Sequence, residues 1–166
     1  KDLIKSKEIL EESLRINQYD KNLNFLYSKL LLKIEPENYI NHRHFLRNSF
    51  VKNDNRLEAQ FWYARCLYLL EEKEESKQFF NVTKNAPIDY RIKKRNQGEV
   101  FFNNTPKIFN GVIIKLERSY GFVKENITGE TIYFYREKNG VDKLEINMKI
   151  NFKKFFNYYG VNAVLI

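Results

Sequence analysis

Several residue types are scarce in this 166-residue chain: one Cys, one Trp, one Met, two His, three Pro and six Gly. The single Cys66 cannot form an internal disulfide, which points to a reducing compartment and a cytoplasmic setting. In its apolar surroundings beside Ala64 and Leu67 it reads as a buried, inert thiol. The glycines are dispersed, and Gly98 and Gly121 stand alone, so there is no glycine-rich loop to cradle a phosphate. His42 and His44 lie two apart in a helical stretch, so their rings do not share a face. No carboxylate or cysteine stands at ligand spacing from them, which argues against a metal centre and against histidine-based catalysis. No apolar run approaches the roughly 20 residues of a membrane span. Nothing here assembles a catalytic set or a cofactor site, and the expectation is a protein that binds rather than converts.

Lysine, aromatics and helical periodicity are abundant. Lys and Arg outnumber Asp and Glu by 29 to 21, a formal charge of +8 that favours polyanionic partners. Up to and including Gly98 there are 19 basic and 14 acidic residues, and after it 10 and 7. The excess is therefore +5 and +3, and neither half is a concentrated basic patch.

The first 98 residues carry helical spacing throughout. Helices are expected near 3–17, 21–34, 38–53, 55–70, 73–85 and 89–97, with Asp20 and Asp54 as caps and Pro36 and Pro87 at helix starts. Three helix ends share a pattern at Ser13, Ser49 and Thr83, which are 36 and then 34 residues apart. That period in helix pairs, with Phe61-Trp62-Tyr63-Ala64-x-x-Leu67, Ser76-x-x-x-Phe80-x-x-Thr83 and Pro87, resembles the tetratricopeptide repeat. The resemblance implies stacked helix pairs with a concave, peptide-binding side. Tyr27, His42, Arg43, Tyr63 and Arg65 either line that side or belong to the core. Ser6, Leu10 and Ser13 match only the second helix of a pair, so the array is expected to extend upstream of Lys1, where any enzymatic activity would reside. Residues 99–107 read as a connector whose Val100-Phe101-Phe102 is expected to pack the two parts together, the alternative being a flexible linker with a chance apolar patch. Asp89-Tyr-Arg-Ile-Lys93-Lys94-Arg95 is either a basic track for a phosphate backbone or a solvated capping helix.

The last third alternates as strands do. Strands are expected near 108–116, 119–125, 131–136, 148–156 and 161–166, with Gly129 in a turn and Asn139-Gly140 in a longer connection. Val112, Ile114, Ile132, Phe134, Ile150, Phe152 and Val164 are the expected core. Because successive side chains in a strand face opposite ways, Tyr120 and Phe122 share one face and Tyr133 and Tyr135 another. If those faces coincide, four rings lie side by side with Lys115, Arg118 and Lys124 near them. That suits an unstacked base and its phosphate.

These strands carry a second resemblance. Gly111-Val-Ile-Ile-Lys115-Leu, Tyr120-Gly-Phe122-Val, Ile132-Tyr133-Phe-Tyr135, Asn147-x-x-Ile150-x-Phe152 and Gly160-x-x-Ala163-Val164 occur in the order found in the cold-shock domain, which the segment resembles. The resemblance implies a small OB-type barrel whose two RNA-binding motifs correspond to 119–123 and 132–135. Tyr120, Phe122 and Tyr133 would stack on bases, with Tyr135 where the family carries His. Where the family has Lys-Trp-Phe, this chain has Lys115, Leu116 and Glu117, so the implied platform is smaller.

The expected fold is thus α+β in two segregated parts. Helical repeats over 1–98 precede a five-stranded antiparallel barrel over 108–166. Two functions are compatible with it. One is binding of single-stranded RNA or DNA through Tyr120, Phe122, Tyr133, Tyr135, Lys115, Arg118, Lys124, Lys93, Lys94 and Arg95, with a protein partner on the repeats. The other is a protein-interaction or sensing region of a larger regulatory or defence protein, with the barrel structural.

Overall fold

The computed structural model describes the backbone of residues 2–51, 54–102, 105–138 and 143–166, and the side chains of all of these but Phe102 and Lys138. The chain divides into two compact units, Lys1–Ile88 and Asp89–Ile166. The first holds α1 (Leu3–Ile16), α2 (Lys21–Ile34), α3 (Tyr39–Asn48), α4 (Leu57–Leu69) and α5 (Lys73–Lys84). The second holds α6 (Tyr90–Asn96), β1 (Gly98–Glu99), β2 (Phe101–Phe102), β3 (Thr105–Pro106), β4 (Ile108–Leu116), β5 (Tyr120–Glu125), β6 (Thr131–Tyr135), β7 (Lys149–Asn157) and β8 (Gly160–Leu165). No helix among the described residues is long and apolar enough to cross a membrane.

Within the first unit the repeat expected from spacing is visible as repeated contacts. The α2–α3 pair joins Tyr27 to Phe45 edge to face at 4.6 Å. Its α4–α5 counterpart joins Tyr63 to Phe79 in the same geometry at 5.0 Å. Leu31 and Leu67, 36 residues apart, are both fully buried, and Leu46 and Phe80, 34 apart, are both buried. The hydroxyls of Ser13, Ser49 and Thr83 each turn back onto a carbonyl of the preceding helical turn, at Ile9, Leu46 and Phe80. Tyr27, Tyr63 and His42 are core residues. Arg43 pairs with Glu72 at 2.8 Å, and Arg65 lies 4.5 Å from the Trp62 ring.

Asp20 caps α2 as expected, accepting from the Asn22 and Leu23 amides. Asp54 instead ties the loop, accepting from the Val51 and Arg56 amides, and α4 begins later than expected, at Leu57. Helix α3 ends at Asn48, short of the expected 53, because the chain turns to bury Phe50 against Tyr63 and Phe79. Lys52 and Asn53 of that expectation lie outside the described residues.

His42 occupies the place that Ser76 holds one repeat later. Ser76 donates to the Ala64 carbonyl across the helix pair, whereas both ring nitrogens of His42 are buried without a well-formed hydrogen bond, with only weak interactions to the Glu35 and Leu31 carbonyls. Burial pushes its pKa below the usual imidazole value, against the weaker pull of the Glu35 and Leu31 carbonyls. As pH falls, the unfolded chain therefore takes up this proton first. The stability contributed by the neutral ring is whole above about pH 6.5 and is lost as pH falls from there through the folded value. Unfolding followed by fluorescence of Trp62, the sole tryptophan, should show a midpoint falling between pH 7 and pH 5. In His42→Leu that fall should be absent, and an equal fall in the variant would assign it to other groups. Cys66 is buried as expected, its thiol 3.0 Å from the Tyr39 carbonyl and its pKa pushed up to about 12 by burial.

The second unit is a closed barrel in which β4, β5, β6, β8 and β7 follow one another and β7 returns to β4. It is compatible with an OB-type barrel. The pairing is mixed rather than wholly antiparallel. β6 and β8 run parallel, Tyr133 opposite Asn162 and Phe134 opposite Ala163, because the chain crosses through β7 between them.

The core is Ile113, Val123, Ile132, Phe134, Ile150, Phe152, Ala163 and Leu165. The expected phase was off by one residue on two strands. Val112, Ile114 and Val164 lie outside this core, and Ile113, Ala163 and Leu165 take their places. On β4 the run Val-Ile-Ile has apolar residues at both parities, so periodicity alone could not choose. Pairing with β5 does, placing Ile113 against Val123.

Helix α6 and the short strands belong with the barrel. The Asn96 amide donates to the Tyr158 hydroxyl, β1 pairs with the end of β7, and the Val100 amide donates to the Lys154 carbonyl. Val100 is buried and Phe101 exposed. Gly129 takes the positive φ expected of it, 70°. The Asn139-Gly140 turn lies outside the described residues.

Inside the barrel Gly121 answers to packing rather than to conformation. A Cβ there would lie 2.7 Å from the Lys115 carbonyl oxygen and collide with the ring of Phe134, which is fully buried. Gly121→Ala is expected to destabilise the chain by about 1–3 kcal/mol, seen as a lower urea midpoint. An unchanged midpoint would show that Phe134 can yield.

Candidate nucleic-acid interface

Strands β5 and β6 pair in the register that the aromatic face requires. Tyr120 stands opposite Tyr135, Phe122 opposite Tyr133, and Lys124 opposite Thr131. The alternate residues Val123, Ile132 and Phe134 fill the core, so all four rings are on the outer surface. Tyr120 and Tyr133 stack, centroids 5.5 Å apart at 22°. Phe122 meets Tyr120 and Tyr133 edge to face, each at 5.8 Å, and Tyr135 meets Tyr133 the same way at 4.8 Å. Such contacts fix the rings to one another. Tyr120, Phe122 and Tyr133 are half-buried, and Tyr135 is 45% exposed. The Tyr133 hydroxyl is held above the ordinary tyrosine pKa by burial first and then by the Tyr135 hydroxyl, so it stays neutral at pH 7.

Lys115 reaches this surface through an irregularity. Ile113 pairs with Val123 but Lys115 with Phe122, so Ile114 is an extra residue bulged out of β4 and 41% exposed. The bulge reverses the facing of the residues beyond it. Without it Lys115 would share the inward parity of Gly111 and Ile113. With it Lys115 stands beside Phe122 on the outer face. Glu117 pairs with Lys115 at 3.1 Å, and this hydrogen bond raises the lysine pKa. A phosphate arriving there must compete with that carboxylate. Lys124 is exposed on the same face, one step along β5 from Phe122, and Arg118 is exposed in the β4–β5 turn.

Lys93, Lys94 and Arg95 stand elsewhere. Lys93 lies 6.0 Å from the ring of Tyr158 in the β7–β8 turn, and Lys94 and Arg95 are exposed on the same short helix. The contacts of α6 thus tie this run to that turn rather than to the row of rings.

One basic residue beside the rings was not singled out from sequence. Arg136 follows Tyr135, and strict alternation would turn it inward. The strand stops at Tyr135, a 3-10 turn begins, and Arg136 instead donates to the Glu117 carbonyl at 2.9 Å. Its side chain therefore borders the β4–β5 turn next to Tyr120. Among the described residues no cluster of three or more His, Cys, Asp or Glu could hold a metal ion.

Comparison with protein-family models, with curated proteins and with solved structures finds no match for the chain.

Proposed function

We propose that the chain is a non-catalytic module that binds single-stranded nucleic acid, RNA foremost, on the outer face of β5 and β6. One observation carries this reading: four aromatic side chains lie contiguous on the outside of a closed barrel, with Lys115, Lys124 and Arg118 around them. Each ring offers a face that any base can cover, and each cation a site for a phosphate. The resemblance of 108–166 to the cold-shock domain supports the same reading, as does a barrel compatible with the OB type. The helical unit serves as a tetratricopeptide-like scaffold for a protein partner. A cavity of about 320 Å³ there, lined by Arg47, Phe50, Glu75, Gln78, Phe79 and Val82, offers both apolar and charged contacts to a peptide.

The test is a titration of fluorescently labelled oligo-U with the full chain over a range of salt. Three phosphate contacts, from Lys115, Lys124 and Arg118, should give a slope of log K against log salt of about −2. Binding indifferent to salt, or no binding at low salt, would count against the proposal and favour a protein-binding role for both units.

A further inference from the structure

The row that holds Phe122 and Tyr133 continues past β6. Tyr133 pairs with Asn162 on β8, and Asn162 pairs with Phe155 on β7. Lys115, Phe122, Tyr133, Asn162 and Phe155 thus form one line around the barrel, one residue from each strand. Ala163 and Leu165 face the core, so Asn162 faces out, half-buried between two aromatic neighbours. Adjacent strands lie about 4.8 Å apart. A base covering Tyr133 therefore brings its edge to the Asn162 amide.

That amide is only partly used by the protein. Its Nδ2 donates to the Gly160 carbonyl at 3.3 Å, a long contact. The second N–H and the Oδ1 have no protein partner among the described residues. The Oδ1 is not buried, so it meets water and is open to a ligand. The other members of the row cannot discriminate between bases. A lysine meets a phosphate, which carries no sequence information, and a ring stacks on any base. Asn162 alone in this row presents a donor and an acceptor side by side.

We infer that Asn162 reads the base stacked on Tyr133 and that this base is adenine. The inference rests on the stacking role proposed for β5 and β6. In a single strand every base offers a carboxamide a donor beside an acceptor on its Watson–Crick edge, but adenine does so on its Hoogsteen edge as well (N6–H beside N7), where guanine has only acceptors and a pyrimidine has no such pair. Adenine's two fused rings also cover more of the aromatic row than a pyrimidine does. The site would then take a single strand bearing adenine at this position and be indifferent to base elsewhere.

The experiment compares oligo-rA, oligo-rU and oligo-rC of equal length on the full wild-type chain, on Asn162→Ala and on Asn162→Leu. Matching thermal melts establish that the variants are folded. The wild type should bind oligo-rA about tenfold more tightly than the others. Both variants should lose most of that preference, keeping only what the larger stacking area of a purine supplies, with oligo-rU and oligo-rC far less affected than oligo-rA. Equal wild-type affinity for all three would overturn the role of Asn162 and leave stacking intact, as would variants that weaken all three alike. If none of the three binds the wild type, the stacking role falls and the role of Asn162 with it.

Discussion

Phe122→Ala combined with Tyr133→Ala should weaken binding of a single-stranded oligonucleotide by about 30-fold or more. Two lost stacks at about 1–3 kcal/mol each set that lower bound. The pair is the centre of the surface, directly opposed across β5 and β6, with Tyr120 stacked on Tyr133 and Tyr135 against it. Because both rings point away from the core, the barrel should survive their loss, at a cost of about 1 kcal/mol in cross-strand contact. A companion variant, Phe122→Leu with Tyr133→Leu, keeps apolar area and removes the π faces. It should bind as weakly as the alanine pair. Affinity retained in the leucine pair but lost in the alanine pair would indicate a generic apolar interface. Affinity unchanged in both would move the site off this face.

The second large effect concerns the barrel interior. Lys154 lies on the inward parity of β7 with Ile150, Phe152 and Phe156, and it is buried. It meets Glu125 at 2.8 Å, Glu130 at 3.1 Å and the Phe109 ring at 4.6 Å. Glu125, equally buried, also accepts from the Thr128 hydroxyl at 2.7 Å. This network ties β7 to β5 and to the β5–β6 turn. Removing one partner leaves a charge in an apolar setting, so Lys154→Met should cost about 3–5 kcal/mol of stability. The double variant Lys154→Met/Glu125→Leu should recover much of that loss, since it removes the two buried charges and leaves only the more exposed Glu130. Urea unfolding of the three proteins measures it. A double variant no more stable than the single one would mean that the pair does more than neutralise itself.

Helices and strands were largely legible because their periods are clean. Tyr120-Gly-Phe-Val and Tyr133-Phe-Tyr135 each alternate strictly, so the aromatic side of each strand followed from alternation, while the register that joins the two sides comes from the pairing of β5 with β6. Where alternation failed, legibility failed with it. The apolar run on β4 admits both phases, and the bulge at Ile114 that carries Lys115 outward depends on pairing between strands distant in sequence. Lys154 looks like one more surface lysine in sequence, because a buried lysine is recognisable only once its carboxylate partners are brought to it. Asn162 gives no local signal either. It joins the aromatic row through a parallel pairing, which no stretch of β6 or β8 encodes by itself. Arg136 was hidden by the place where its strand stops.

The central claim is that nucleic acid lands on the outer face of β5 and β6. The most direct measurement is a backbone amide NMR titration of the full chain with a short single-stranded oligonucleotide. The largest shifts are expected at Lys115, Tyr120, Phe122, Tyr133 and Tyr135, with the helical unit silent. Shifts confined to residues 2–88, or none at oligonucleotide excess, would contradict it.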